Sequence, residues 1–474
     1  MLNKNKTLFT LLLVFAILVS ADRAMAQIVN AKKESAAAKK EKEAAKKEKE
    51  EAEKKAAAQK EEEEEFFIDV DASRKSAVYQ DDDNVNYKVK LRSHYKALQE
   101  GKLTYEVLTD DNKPILSSKL DVKMKNHETE NFNIVIPRQK AGFYKLNVML
   151  NLTDYDDTVR KVFGVSPEKL SSVMHRPADF DDFWKGTLAE LKKVAPEYKV
   201  IPRPDKSNKD KKVYLVEMRS YGNVMIRGWM VVPTFGHRFP VHYRVPGYGV
   251  PMNPNMDADD FIAFDIDVRG NGLSRDDIKL NTDIYSTMGI EDRDRYIYRG
   301  TIMDCIRGLD FLYSHYDMGV DTSRIYVEGG SQGGALGIAT AALDKRVRVL
   351  TIQVPLYSDI RDTYDISATY KDQVFPFKMF RKYHDTHPGY TWDMFYKVFD
   401  YYDPQNFAPL VKCPVLMGIG LLDLYCPPRS SMSMYNHLGT SKKEYITVAN
   451  STHEVNFNYF MFQNNWLREQ LRIP

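Results

Sequence analysis

The sequence predicts a chain of α/β class: a mostly parallel sheet of eight strands with crossover helices, preceded by a small β-sandwich. Three observations carry this. Short apolar runs recur beyond residue 210, with helix-forming segments between the later ones. Alternating apolar and polar residues crowd positions 66–165, separated by turn signals and not by helices. At 474 residues, with 43% hydrophobic and 12% aromatic content, the chain can build one large core and something smaller beside it.

In chain order, residues 1–26 place Lys4 and Lys6 before the apolar run Leu8 to Val19, followed by Ala24-Met25-Ala26 as a small-x-small cleavage site. This is the pattern of an export signal, and the apolar run is shorter than the roughly 20 residues that a bilayer span needs. No cysteine follows the run to carry a lipid. The expectation is an exported, periplasmic or secreted protein that starts near Gln27, with no stable membrane insertion after cleavage. Positions 27–65 form a spacer, almost wholly Ala, Lys and Glu from Ala31 to Glu65. Glu/Lys pairs favour a helix of about 50 Å, but nothing apolar exists to bury, so it is a solvated helix or a disordered charged segment. Ala38, Ala45 and Ala52 repeat at seven, and alanine alone is a poor coiled-coil seam.

Positions 66–165 read as an immunoglobulin-like β-sandwich: Val85 to Val89, Thr104 to Leu108, Phe132 to Ile136, Phe143 to Val148 and Lys161 to Phe163, with Asp110-Asp111-Asn112-Lys113-Pro114 as one of the turns. No exposed aromatic cluster can be assigned to it, so a packing or spacer role is favoured over sugar binding. Positions 166–474 form the α/β part. Val213 to Met218 and Val224 to Val232 make an antiparallel pair. Val241 to Val245, Phe261 to Ile266, Ile325 to Val327, Val349 to Val354, Pro414 to Ile419 and Glu444 to Val448 follow, and Arg299 to Tyr316 is a crossover helix.

Ile325-Tyr326-Val327 runs into Gly329-Gly330-Ser331-Gln332-Gly333-Gly334 and then into the helix-forming Ala335 to Leu343. A strand turning sharply into a helix with a serine at the tip is the nucleophile elbow of the α/β-hydrolase fold, in which Ser, Asp and His follow in that order. A serine hydroxyl needs a histidine to take its proton and an acid to orient that histidine. Beyond Ser331 the histidines are His384, His387, His437 and His453, and only His453 follows the last predicted strand. Asp423 stands at the carboxyl end of the strand before it, where sites of such sheets gather, while Asp403 caps a turn before Pro404. The expected catalytic residues are therefore Ser331, Asp423 and His453. The expected oxyanion donors are the backbone N–H groups of Gln332 and of Tyr248 in Pro246-Gly247-Tyr248-Gly249.

Composition excludes other classes. With 68 basic against 66 acidic residues, no net field favours nucleic acid. Cys305, Cys413 and Cys426 are too few for a disulfide scaffold and lack metal-ligand spacing, so no metal or cofactor is called for.

With these residues in place, the chain from about Pro177 onward resembles the acetyl xylan esterase and cephalosporin C deacetylase family, the seventh carbohydrate esterase family. The resemblance is carried by Asp179-Phe180-Asp181-Asp182-Phe183-Trp184, Asp267-Val268-Arg269-Gly270-Asn271-Gly272 and Tyr296-Ile297-Tyr298-Arg299. The elbow, Asp423 to Pro428 running on to Tyr435-Asn436, and His453-Glu454 complete it. It implies Ser331 as nucleophile, Asp423 and His453 as relay, an oxyanion hole at Tyr248 and Gln332, and a structural Arg269. The implied reaction is removal of acetyl groups from acetylated xylo-oligosaccharides or other small acetylated sugars. Two departures stand out: Arg269-Gly270-Asn271 where the family has Arg-Gly-Gln, and Pro246-Gly247 where it has His-Gly. Family members form closed hexameric rings but generally lack a domain like 66–165, which leaves a homo-oligomer open here. Two rival readings are a serine peptidase of prolyl oligopeptidase type, for which some 100 residues cannot build the β-propeller, and a non-catalytic carbohydrate-binding surface protein, against which the filled triad positions argue.

Overall fold

The structure, a computed structural model, describes residues 46, 65–257, 260–279 and 284–473. The segment expected to be an export signal and, Lys46 and Glu65 apart, the expected charged spacer lie outside the described residues. Among the described residues no helix is long and apolar enough to cross a membrane. The chain divides into two compact units, a small one that includes Arg92–Leu98 and Met124–Thr129, and a large one of Ile68–Leu91, Gln99–Lys123 and Glu130–Pro474. In the small unit the Phe67 ring meets His94 at 5.4 Å and His94 meets His127 at 5.3 Å.

Eight strands occupy the N-terminal region: β1 (Phe66–Ala72), β2 (Val78–Tyr79), β3 (Val85–Ser93), β4 (Gln99–Thr109), β5 (Pro114–Met124), β6 (Thr129–Ile136), β7 (Gly142–Leu152) and β8 (Asp156–Val165). They form a three-stranded sheet, β1-β3-β6, and a five-stranded one, β2-β8-β7-β4-β5. The period of two is clean along β3, where Val85, Tyr87, Val89 and Leu91 are buried and Asn86, Lys88 and Lys90 exposed. Tyr87 meets Phe163 of β8 at 6.3 Å, so the two sheets face each other across one core.

The second sheet has nine strands: β9 (Lys199–Pro202), β10 (Lys211–Arg219), β11 (Met225–Pro233), β12 (Phe239–Arg244), β13 (Ile262–Asp267), β14 (Val320–Gly330), β15 (Val349–Gln353), β16 (Val415–Gly420) and β17 (Lys443–Val448). Their spatial order is β17-β16-β15-β14-β12-β13-β11-β10-β9. The six strands from β13 to β17 in that order run parallel, and β11, β10 and β9 antiparallel. All eight expected strands are present, and the count of eight is corrected to nine. The addition, β9, is a four-residue edge strand that ends at Pro202 and stays mostly exposed. Such a strand leaves no periodic trace in the sequence, and Pro tolerates only an edge. The central strands are buried on both faces, as β13 and β15 are along their whole length, which is why they read as continuous apolar runs.

The crossover helix Ile297–Ser314 precedes β14, and the helix Gln332–Leu343 follows it. The insertion after β15 carries the helices Ile360–Ala368, Phe377–Thr386 and Trp392–Phe399. Its aromatics make a local core: Phe380 packs on Phe395 at 4.8 Å and on Phe399 at 5.8 Å. Asp403 caps the short helix Pro404–Phe407 as expected and also accepts from the N–H groups of Asp359 and Ile360 at 3.1 and 2.8 Å.

Candidate active site

The site begins with strain at one residue. Ser331 sits between β14 and the helix Gln332–Leu343 at φ 56°, ψ −121°, a backbone region that non-glycine residues rarely enter. It is held there from several sides: its N–H donates to the Gln353 carbonyl at 2.9 Å, and its carbonyl accepts from Gly334 at 2.9 Å and Leu356 at 3.0 Å. The flanking glycines are set by close approach. A Cβ on Gly329 would fall 2.2 Å from the Gly333 carbonyl oxygen, and one on Gly333 would fall 2.5 Å from that of Val245.

The loops after β16 and β17 bring the other two groups to the serine. Leu422 N–H donates to the Ser451 carbonyl at 2.9 Å, tying these loops to each other. His453 Nε2 lies 2.8 Å from Ser331 Oγ, and its Nδ1 lies 2.8 Å from Asp423 Oδ2. The other Asp423 oxygen accepts from the N–H groups of Tyr425 and Cys426 at 2.8 and 2.9 Å. Asp423 is buried, and desolvation pushes its carboxyl above the ordinary value, while His453 and the two amides pull it down. Ser331, Asp423 and His453 thus form one hydrogen-bonded chain. The remaining histidines stay away from it: His437 Nδ1 is 2.7 Å from the Ser433 carbonyl in its own helix, His384 stacks on Trp392, and His387 stacks on Tyr383.

Gln332 opens its helix, where the first N–H groups lack intrahelical acceptors and the dipole favours negative charge. Its side chain accepts from Tyr298 Oη at 2.5 Å, and that hydroxyl meets Tyr357 Oη at 3.1 Å. The Pro246–Gly249 loop lies against the elbow: a Cβ on Gly247 would sit 3.7 Å from the Gly330 carbonyl oxygen. The next residue, Tyr248, has its hydroxyl accepting from Ser286 N–H at 3.2 Å and its ring 4.7 Å from Phe375 of the insertion.

The stretch Asp267 to Gly272 braces this loop. Asp267 accepts from Met252 N–H at 2.8 Å and Leu273 N–H at 2.9 Å, and Asn271 Nδ2 donates to the Val250 carbonyl at 2.6 Å. Arg269 is buried and grips Asp304 with Nε and Nη2, each at 2.8 Å, while Nη2 also reaches the Tyr221 carbonyl at 2.8 Å. Two neighbours of the relay escaped the sequence reading: the Tyr425 ring, 5.0 Å from His453, and Phe375, 6.4 Å from Tyr425. Tyr425 carried a signal, its place two residues past Asp423; Phe375 carried none, because only the tertiary fold of the insertion brings it here.

Among the described residues, one group of side chains offers metal-ligand atoms close together, Asp423, Cys426 and His453, all within 4.8 Å. Two of the three are already engaged in the relay. Burial holds the Cys426 thiol far above its ordinary value, so it stays protonated and is a poor ligand. The donor set suits proton relay better than metal binding.

A family model described as acetyl xylan esterase (AXE1) matches residues 166–470. The chain belongs to the acetyl xylan esterase family. It is a carboxylic ester hydrolase, of the class that deacetylates xylan. Within the family, it is 29% identical to acetyl esterase Axe7A of Xylanibacter ruminicola over 359 residues, 70% of this chain and 76% of that protein. Among solved structures, it superposes on the acetyl xylan esterase of Paenibacillus sp. R4 with a TM-score of 0.58 at 30% identity, covering 64% of this chain and 98% of that one. Acetyl xylan esterase 1 of Thermoanaerobacterium sp. gives a TM-score of 0.57 at 25% identity, covering 64% of this chain and 97% of that one.

Proposed function

We propose that the chain is a serine esterase that removes acetyl groups from acetylated xylo-oligosaccharides or other small acetylated sugars by way of an acetyl-enzyme. The observation that carries this reading is the continuous chain Ser331 Oγ to His453 Nε2 to His453 Nδ1 to Asp423 Oδ2, with both distances at 2.8 Å. Ser331 Oγ attacks the acetyl carbonyl carbon as His453 Nε2 takes its proton, and Asp423 holds the ring in the required tautomer and stabilises the imidazolium. The tetrahedral oxyanion is met by the N–H groups of Gln332 and Tyr248. Collapse breaks the ester C–O bond, and His453 returns the proton to the departing sugar oxygen. Water, deprotonated by the same nitrogen, then hydrolyses acetyl-Ser331 to acetate and free serine.

No step asks for a metal, so chelators should leave turnover unchanged. Acetate release from acetylated xylan, its oligosaccharides and other acetylated glycans tests the reading, with 4-nitrophenyl acetate and butyrate as simple esters. The expected result is faster cleavage of the acetate than of the butyrate and release from short acetylated xylo-oligosaccharides. Release from none of the glycans would refute the substrate assignment. We also propose an exported location, supported by the pattern of residues 1–26, and domain limits at 66–165 and 166–474. A mature N-terminus near Gln27 in the exported fraction is the expected result, and full-length protein in the cytoplasm the contrary one.

A further inference from the structure

The β-sandwich contributes nothing to the relay, yet it forms one wall of a cleft of about 440 Å³ beside the acid loop. That volume falls in the range of about 300–1,000 Å³ typical of small-molecule sites. Side chains alternate along β7, so Lys145 and Asn147 share a face, and the register sets Val162 and Arg160 of β8 opposite them. Tyr370, past the end of the helix Ile360–Ala368, and Leu424 of the acid loop stand on the hydrolase side. Leu424 is 42% exposed and lies between Asp423 and Tyr425, and Asp423 itself lines the cleft, so the cleft reaches the acid of the relay.

The exposed charge in the cleft is positive, that of Arg160. Of its two carboxylates, Asp110 pairs through Oδ1 with Arg429 at 2.7 Å while its buried Oδ2 has no hydrogen-bond partner, and Asp423 pairs with His453 at 2.8 Å. Lys145 Nζ lies 2.7 Å from Asn112 Oδ1 and 4.7 Å from the centre of the Tyr370 ring, with the carboxylates of Asp110 and Asp111 near enough to act on its charge, and Arg160 is exposed. Apolar and aromatic walls suit the C–H face of a sugar ring, and a lysine with an arginine beside it suits a carboxylate.

We propose that this cleft is an accessory glycan subsite for a saccharide unit bearing a carboxylate, with Tyr370 and Leu424 against the ring face and Lys145 and Arg160 at the acid. The inference rests on the glycan-deacetylase reading above. Burial draws the Lys145 ammonium below its ordinary value, a cost that a bound carboxylate offsets. The subsite gives the sandwich a role in choosing which acetylated chain the serine meets.

Calorimetric titration of the full chain carrying Ser331→Ala tests this. The probes are a xylo-oligosaccharide with one uronic acid branch and the unbranched oligosaccharide of the same length. The branched probe should bind roughly tenfold tighter at low salt, and the preference should shrink as salt screens the charges. Arg160→Ala and Lys145→Met should each reduce the preference severalfold, Arg160→Glu should erase it, and Tyr370→Ala should weaken both probes. In chains that retain Ser331, these substitutions should leave 4-nitrophenyl acetate turnover within about twofold, since none touches the relay. Equal affinity for the two probes, binding of neither, or an acid preference that survives Arg160→Glu would overturn the subsite. Absent turnover of 4-nitrophenyl acetate by the unsubstituted chain would instead overturn the esterase reading, and leaves the binding comparison intact.

Discussion

Asp423 shows how single residues decide the chemistry. Its carboxylate is buried and still kept available to His453, because two backbone N–H groups of its own loop share the charge. Asp423→Asn keeps the shape but favours the wrong histidine tautomer, so kcat for 4-nitrophenyl acetate should fall about 10⁴-fold while the fold persists. His453→Ala should abolish ester turnover, with an unchanged circular dichroism spectrum as the control. Asp403 supplies a pH prediction away from the chemistry. Burial and the neighbouring Asp359 push its carboxyl up to about 7, against about 3.9 in an unfolded chain. Between these values the native state holds a proton that the unfolded state has lost, so this group lowers stability as pH rises from about 4 to about 7. Melting temperatures across that window should show Asp403→Asn with a less negative pH slope than the parent protein; an unchanged slope would contradict the assignment.

At the level of elements, the elbow and the braced loop beside it depend on contacts that leave no slack. Gly329→Ala would drive a methyl group to 2.2 Å from a backbone oxygen, and urea unfolding should register a loss of about 3 kcal/mol or more, with activity falling too. Arg269→Met leaves the Asp304 carboxylate buried without its partner, which costs about 3–5 kcal/mol in the same measurement. These elements also show what the sequence makes legible. The elbow could be read from Gly329 to Gly334 because close packing admits only glycine at two of those positions. The parallel strands could be read because burial on both faces enforces continuous apolar runs. His453 and Asp423 followed from strand order. Strand β9 could not be read, being four residues at a wet edge, and neither could Phe375, since its approach to Tyr248 depends on how three helices of the insertion pack. The Pro246–Gly249 loop lay between: its glycines were visible, but the brace from Asn271 to the Val250 carbonyl was not.

Across the large unit, β-sandwich and hydrolase elements are joined at the loops that matter. Ser76 accepts from Thr447 Oγ1 at 2.7 Å, Lys161 Nζ meets Asn450 Oδ1 at 2.8 Å, and Asp110 pairs with Arg429 at 2.7 Å. The first two anchor the segment that leads to His453, and the third holds the helix that follows Asp423. Asp110→Ala leaves the Arg429 guanidinium with Asp362 as its remaining carboxylate partner. Ser331 is the residue proposed to carry the acyl group. A serine-directed phosphonate, followed by peptide mass mapping, tests it most directly: the predicted result is a single adduct on Ser331 with complete loss of ester turnover, and neither adduct nor turnover in Ser331→Ala. An adduct on another residue, or turnover retained by Ser331→Ala, would contradict the account.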